Sequence, residues 1–292
     1  MQLLDGKKVS EEIVEEIKVE VAKLKAANKK TPHLAVVLVG NNPASETYVG
    51  SKIKTCDRVG FESTLIRLAD TISEADLLSE IKKLNDNPAI DGFIVQSPLP
   101  KHISDSKVVN AISPDKDVDG FHPENLGRMA LNMPAYLPAT PYGVVQLLDK
   151  YNIPTAGKHC VVMGRSHIVG LPMSLLMVRN TKPGNCTVTI CHSKTVDVKK
   201  HTLQADILIV ATGQVESVTA DMVKEGAVVV DVGISRIPDA TKKSGYRIAG
   251  DVKFDEVAPK CSYITPVPGG VGPMTIASLL MNTLNGVKRR YN

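Results

Sequence analysis

The feature that most constrains this chain is a rhythm. Short runs dense in Val, Ile and Leu return along almost its whole length, separated by stretches with helical patterning. LAVVLVG (34–40), STLIRLA (63–69) and DGFIVQS (91–97) come first. KHCVVMG (158–164), CTVTICH (186–192), ADILIVAT (205–212), GAVVVDVGI (226–234) and SYITPVP (262–268) follow in the second half. Near-continuous aliphatic runs of this length are strands buried on both faces, the mark of a largely parallel sheet whose crossovers are helices. Residues 10–27 place Ile13, Val14, Ile17, Val21 and Leu24 on one stripe with Glu and Lys elsewhere, which predicts an amphipathic helix. Ser73 followed by Asp76 resembles a capping box for a helix running through Leu84. The pattern predicts two α/β lobes.

Two segments break the rhythm. SPDKDVDGFHPENLGRM (113–129) is rich in Asp, Pro, Gly and Asn without apolar periodicity, and it reads as a loop of the kind that carries chemistry. TPYGVVQLLDKY (140–151) then reads as a helix opening the second lobe. TPVPGGVGPMT (265–275) is a Gly/Pro loop leading into a final helix, with Pro273 suited to the first turn. A third stretch, TYVGSKIKTC (47–56), sets Tyr48 and Lys52 four apart, so that on a helix both reach one target. On spacing alone, such a pair is more often a solvated helix face than a site.

Composition narrows the function classes. A chain of 292 residues, 43% hydrophobic and 23% charged, fits a soluble globular protein of one large or two ordinary domains. The net charge of +4 is mild and the lysines are interspersed with acids, as in EEIVEEIKVEVAKLK, so neither nucleic acid nor an anionic membrane is an expected partner. No apolar run approaches the ~18 residues of a spanning helix, and MQLLDGKKVSEE lacks the layout of a signal peptide; a cytoplasmic protein is expected. The five cysteines are odd in number and lack C-x-x-C spacing. Cys160, Cys186 and Cys191 fall in or beside strand runs, where a reduced thiol behaves as a small hydrophobe. Cys191 and His192 would point to opposite faces of a strand, so no metal site is expected.

KHCVVMGRSHIVGLPMSLLM (158–177) is an apolar strand, a turn holding Gly164 and Gly170, and a helix. In that context a helix N-terminus and open backbone N–H groups hold a pyrophosphate, although Ser166 stands where the G-x-G-x-x-G pattern has its second glycine. An NAD site places a carboxylate at the end of the next strand to bind the ribose 2′-hydroxyl. Here that strand ends in His192, Ser193, Lys194 and Thr195, while Arg165 in the first turn suits a 2′-phosphate. NADP is favoured.

Five separated motifs then agree. They are the Tyr-x-x-x-Lys of TYVGSKIK, QSPLP (96–100), KDVDGFHPENLG (116–127), GRSHIVGLP (164–172) and TPVPGGVGPMT (265–275). A chain carrying them in this order resembles the bifunctional methylenetetrahydrofolate dehydrogenase/methenyltetrahydrofolate cyclohydrolase family, from MQLLDGKKVS to the C-terminal helix. The resemblance implies an N-terminal α/β folate-binding domain of residues 1–139 plus 273–292 and a Rossmann-like NADP-binding domain of residues 140–272, with the C-terminal helix returning to the first lobe. It implies hydride transfer from 5,10-methylenetetrahydrofolate to NADP, then hydrolysis of the methenyl cation to 10-formyltetrahydrofolate, by a homodimer. By the same resemblance, Lys52 handles protons at the carbon attacked by water, Tyr48 orients the folate, Gln96 holds the Lys52 amine, and Asp119 binds the pteridine. Gly164, Arg165 and Ser166 contact NADP, Ser193 lies near the 2′-phosphate, Ile234 lies beside the cofactor, and Pro268, Gly269 and Gly270 bring backbone close to the ligands. RNTKPGNC (179–186) is longer than a minimal link, and some members with extra sequence here use NAD. Ser97 stands in QSPLP where many relatives have Leu. A dehydrogenase-only member of the family, using NADP or NAD, remains the alternative.

Overall fold

In the computed structural model, which describes residues 1–242 and 245–291, each expected strand run forms a strand, with its polar or glycine ends given over to turns. The chain runs β1 (Gln2–Leu3), α1 (Gly6–Ala26), β2 (His33–Val39), α2 (Pro43–Val59), β3 (Glu62–Leu68), α3 (Glu74–Asp86), β4 (Gly92–Val95), α4 (Asp105–Ala111) and α5 (Pro123–Ala130). It continues through α6 (Ala139–Lys150), β5 (His159–Met163), α7 (Gly170–Val178), β6 (Thr187–Cys191), α8 (Val198–Thr202), β7 (Ile207–Val210) and β8 (Val228–Asp231). A hairpin of β9 (Ser235–Pro238) and β10 (Tyr246–Ala249), then α9 (Phe254–Val257), β11 (Tyr263–Ile264) and α10 (Val271–Tyr291) complete it. Two compact units result, one of Met1–Ser10 with Thr140–Thr275, the other of Glu11–Ala139 with Ile276–Asn292.

The unit containing residues 11–139 is built on a three-stranded parallel sheet, order β3-β2-β4, with His33 opposite Glu62 and Leu34 opposite Gly92. One face of the sheet packs Ala35, Val37 and Phe93 against Leu77 and Ile81 of α3 and Val108 of α4. Ser73 caps the helix, its Oγ accepting the Asp76 N–H at 3.1 Å, but the Asp76 carboxylate accepts the Ser73 hydroxyl at 2.6 Å in place of the backbone N–H of a full capping box. The other unit carries a six-stranded, all-parallel sheet in the order β1-β11-β8-β7-β5-β6. Val161, Leu208, Val229 and Ile264 of that sheet pack with Val257 of α9.

Two expectations are corrected. The first ten residues group with the second sheet and not with the first lobe, because β1 pairs with β11 and Lys7 N–H donates to Gly269 O at 2.8 Å. Gly6 fits there because a Cβ on it would lie 1.8 Å from Gly270 O. The stretch 113–129 is also not loop throughout, since Pro123 begins α5 behind an N-cap at His122, whose Nδ1 accepts the Glu124 N–H at 3.1 Å. Proline in the first turn and a side-chain cap start a helix that apolar periodicity alone does not announce.

The C-terminal helix returns to the first lobe, as the resemblance implied. There the buried Asn282 donates from Nδ2 to Val118 O and to Leu137 O, both at 2.8 Å. It thereby joins α10 to the segment holding Asp119. Replacing Asn282 with Ala strands two carbonyls away from water, each at a cost of about 1–3 kcal/mol. Asn282→Ala is expected to unfold at a clearly lower urea concentration than the parent; an unchanged midpoint would show that the carbonyls find other partners.

Candidate active site

The first group of site residues is assembled by α2. Asn42 caps the helix, its Oδ1 accepting the N–H groups of Ala44 at 2.9 Å and Ser45 at 3.2 Å, and Pro43 takes the first helical position. Gly60 closes it in the left-handed region at φ 79°. The buried stripe of α2 is Ser45, Val49, Lys52, Cys56 and Val59. Lys52 therefore occupies a position that helical patterning reserves for an apolar side chain, and it is only 6% exposed. The solvated-face reading of the 47–56 pair fails for Lys52. Tyr48, one turn earlier on the same helix, is half-buried.

A buried ammonium needs an acceptor. Lys52 Nζ donates to Gln96 Oε1 at 3.0 Å, and Gln96 Nε2 donates to Ser97 O at 2.7 Å, which fixes the amide with its oxygen toward the lysine. Gln96 stands just beyond β4, held by its own N–H donating to Val37 O at 2.9 Å. Burial pushes the Lys52 amine down from the usual lysine range, and the negative charge of Asp119 offsets that only in part. Burial likewise pushes the Asp119 carboxyl up, with Lys52 opposing. Both members of the pair are thus driven toward their neutral forms.

Asp119 is presented by a turn that its own carboxylate does not make. Asp117 makes it, accepting the Gly120 N–H at 3.2 Å, the His122 N–H at 2.8 Å and Asn125 Nδ2 at 3.0 Å. Burial raises the Asp117 carboxyl to about 7, even against those donors. Gly120 is required at φ 75°, and a Cβ there would lie 2.5 Å from the Leu137 carbonyl carbon. Asp117, Asn125 and Asn282 were not marked as site residues from sequence. The repeated Asp of DVDG was visible, but which one shapes the turn depends on contacts from residues as far away as Leu137.

The second group lies in the other unit, at the carboxyl ends of the six-stranded sheet, where open parallel sheets bind their ligands. Gly164 follows β5 at φ 120°, and a Cβ on it would meet Ala211 O at 2.2 Å. A Cβ on Gly170 would meet Gly164 O at the same distance, so strand, turn and helix close tightly only with glycine at both places. Ser166 Oγ accepts the N–H groups of Val169 at 3.2 Å and Gly170 at 3.4 Å, so this hydroxyl serves the turn where a second glycine is usual. Arg165, Ser166 and Ser193 are exposed, and Ile234 is 50% exposed although it follows a fully buried strand. No carboxylate stands among His192–Thr195 at the end of β6. The close backbone, exposed guanidinium and hydroxyls fit a dinucleotide bearing a 2′-phosphate. Pro268, Gly269 and Gly270 belong to this same unit and not to that of Lys52.

Among the described residues no group of His, Cys, Asp and Glu is arranged to hold a metal ion. All five cysteines are buried and unpaired with one another, and burial raises the thiol of Cys56, next to Lys52 along its stripe, to about 12.

The model of the tetrahydrofolate dehydrogenase/cyclohydrolase catalytic domain matches residues 4–119, and that of the family's NAD(P)-binding domain matches residues 138–291. The bifunctional protein FolD of Cytophaga hutchinsonii is 69% identical over 284 residues, spanning 97% of this chain and 98% of that one. The crystal structure of the bifunctional enzyme FolD, methylenetetrahydrofolate dehydrogenase/cyclohydrolase, from Campylobacter jejuni is similar with a TM-score of 0.92 at 48% identity, covering 99% of both chains. The Trypanosoma brucei N5,N10-methylenetetrahydrofolate dehydrogenase-cyclohydrolase, complexed with NADP cofactor and inhibitor, is similar with a TM-score of 0.92 at 36% identity, covering 98% of this chain and 96% of that one. The two domain models follow one another along the sequence in the order of the two groups of site residues, and this chain belongs to the tetrahydrofolate dehydrogenase/cyclohydrolase family.

Proposed function

We propose that this chain oxidises 5,10-methylenetetrahydrofolate to the methenyl cation with NADP and hydrolyses that cation to 10-formyltetrahydrofolate, with Lys52 as the proton-handling group of the second reaction. The observation that carries the assignment is the Lys52 amine, buried in the apolar stripe of α2 and hydrogen-bonded to Gln96 Oε1 at 3.0 Å. An ordinary ammonium, with a pKa near 10.4, cannot take a proton at neutral pH. Burial moves this one toward the neutral amine, and a methenyl cation beside it would move it further in the same direction.

When water attacks the methenyl carbon, its proton passes to the Lys52 lone pair. An N–H of the amine remains on Gln96 Oε1, which leaves the lone pair free to take that proton. Collapse of the tetrahedral carbon then forms the formyl C=O and breaks the bond to N5: the Lys52 ammonium gives its proton to N5, and the hydroxyl proton leaves to solvent. Atoms and charge balance: one water is added and one proton is released overall from the cation. Asp119 pairs with the pteridine amino and ring N–H groups, and Tyr48 lies along the folate and orients it.

Bound NADP supplies the hydride acceptor. Gly164, Arg165 and Ser166 hold its phosphates, Ser193 takes the 2′-phosphate with Arg165, and Ile234 borders the nicotinamide half. Pro268, Gly269 and Gly270 bring backbone to the ligands; Gly269 at φ 107° suits such an approach. The relatives named bifunctional support two activities over the dehydrogenase-only alternative, and the carboxylate-free end of β6 supports NADP over NAD. A cytoplasmic homodimer is the state proposed for the whole protein; no described helix is long and apolar enough to cross a membrane.

Two measurements test the assignment. Lys52→Met should lose cyclohydrolase activity by at least ~100-fold, the usual scale of a lost general acid–base group, while folate and NADP still bind. Full retention of hydrolysis would sink it. The second concerns sign: the Asp119 carboxylate raises the Lys52 pKa, so removing its charge lowers that pKa. In Asp119→Asn the rising limb of the cyclohydrolase pH profile should move to lower pH, alongside a higher KM for folate. A limb that moves to higher pH would show that Lys52 is not the group being titrated.

A further inference from the structure

One cluster of buried acids among the described residues takes no part in the reaction above. Asp231 ends β8, and Asp251 follows Gly250 shortly after β10. Both are buried, at 3% and 0% exposure. They touch through the backbone, Asp251 N–H donating to Asp231 Oδ1 at 3.0 Å. Asp231 also accepts the N–H groups of Gly233 and Val252, each at 2.9 Å. Asp251 Oδ2 accepts the Thr212 N–H at 2.7 Å, the Thr212 hydroxyl at 3.0 Å and the Gly213 N–H at 2.8 Å. The acids therefore bind together the segments that leave β7 and β8 at their carboxyl ends.

Two glycines make room for them. A Cβ on Gly233 would lie 2.4 Å from Asp251 Oδ1, and one on Gly250 would lie 1.9 Å from Asp231 Oδ2. Asp251 Oδ1, against Gly233, is buried without a hydrogen-bond partner. Every donor named to the pair is neutral, and neither acid has an ion-pair partner among the described residues. The cations nearest along the chain, Arg247 and Lys253, are engaged with Glu216 and Glu256. Burial raises the Asp231 carboxyl to about 6, against the pull of its three backbone donors, so it is mainly a carboxylate at neutral pH.

In a doubly wound sheet the pyrophosphate sits at the first glycine turn, adenosine lies over the next strand outward, and the nicotinamide half crosses to the other side. Here that order puts adenosine over β6 and nicotinamide over β7 and β8, against residues 212–213 and 232–234. We infer that Asp231 and Asp251 form a charge-selective element of the cofactor site, placing negative charge behind the backbone that receives the nicotinamide so that the oxidised, cationic ring is held in preference to the reduced, neutral one. The inference rests on the cofactor reading above. It assigns the two acids a positioning and selecting role, with no contact to the reacting atoms. It also gives the site a reason to release the cofactor once it has been reduced.

The test is equilibrium binding to the full-length protein, oxidised NADP followed by calorimetry and reduced NADP by its own fluorescence. Wild type should bind the oxidised form at least about tenfold more tightly, because a unit charge several ångströms away in a partly desolvated site has that much leverage. Asp251→Asn keeps a carbonyl oxygen for Thr212 and Gly213 but removes one charge, and should narrow the gap about tenfold. Equal weakening of both forms would reduce the pair to a structural role and overturn the inference. So would a wild type that binds both forms alike, a measurement that needs no variant to fold. Adenosine 2′,5′-bisphosphate, which lacks nicotinamide, separates the two readings: it should bind wild type and Asp251→Asn equally. If neither it nor either cofactor binds wild type, the cofactor reading falls and this inference falls with it.

Discussion

A lysine has been placed where the packing of a helix calls for a hydrophobic side chain, and much of the N-terminal unit is arranged around the consequence. Burying an ammonium without a partner costs several kcal/mol, so Lys52 requires an acceptor that is itself immobile. Gln96 meets that need because its own N–H ties it to Val37 of the central strand β2 and it spends its amide N–H on Ser97 O. A glutamine is the suitable acceptor here. A carboxylate in its place would stabilise the ammonium and hold the amine pKa high, whereas a neutral amide oxygen positions the amine and leaves burial to lower it. The one carboxylate that does act on Lys52, Asp119, is itself pushed toward protonation by its surroundings.

The same economy explains the turn from Asp117 to Gly120. Three donors converge on Asp117, Gly120 adopts a conformation other residues rarely take, and Asn282 fastens the adjoining Val118 carbonyl to α10. Asp119 is thus exempt from making the turn, which leaves its carboxylate for the pteridine contact proposed above. Two acids separated by a single residue have different work because one is saturated with donors and the other is not.

How much of this was legible in the sequence follows from which distances the relevant forces span. Strand runs, the Ser73 cap and the Gly164 turn are local patterns, and the structure reproduces them. The burial of Lys52 was also legible in principle, since Val49, Cys56 and Val59 mark a stripe that passes through it. That signal lies in the stripe and not in the Tyr48–Lys52 spacing, which on its own points to a solvated face. What stayed hidden depended on partners far along the chain. β1 reads as an ordinary N-terminus until β11, some 260 residues later, supplies its hydrogen bonds. α5 is only eight residues long, and its start depends on its cap. Asn282 and Asp251 are polar residues whose burial follows from tertiary packing alone.

Burial pushes Lys52 and Asp231 alike toward their neutral forms, and the two differ in how many neutral partners oppose it. Lys52 donates to the neutral Gln96 Oε1 and, among the described residues, to no carboxylate, so desolvation dominates and the amine is pushed toward neutrality. Asp231 and Asp251 receive three and two backbone N–H groups respectively, plus the Thr212 hydroxyl on Asp251. Peptide N–H groups stabilise an anion without carrying a net charge of their own, so they oppose the upward push of burial on Asp231 and leave its field uncancelled. A salt bridge would have stabilised the same acids and erased that field. The proton transfer proposed for Lys52 calls for a group near its neutral form, and the discrimination inferred for the two acids calls for charge that no counter-ion cancels; desolvation with a single neutral acceptor serves the first, and neutral donors without an ion pair serve the second.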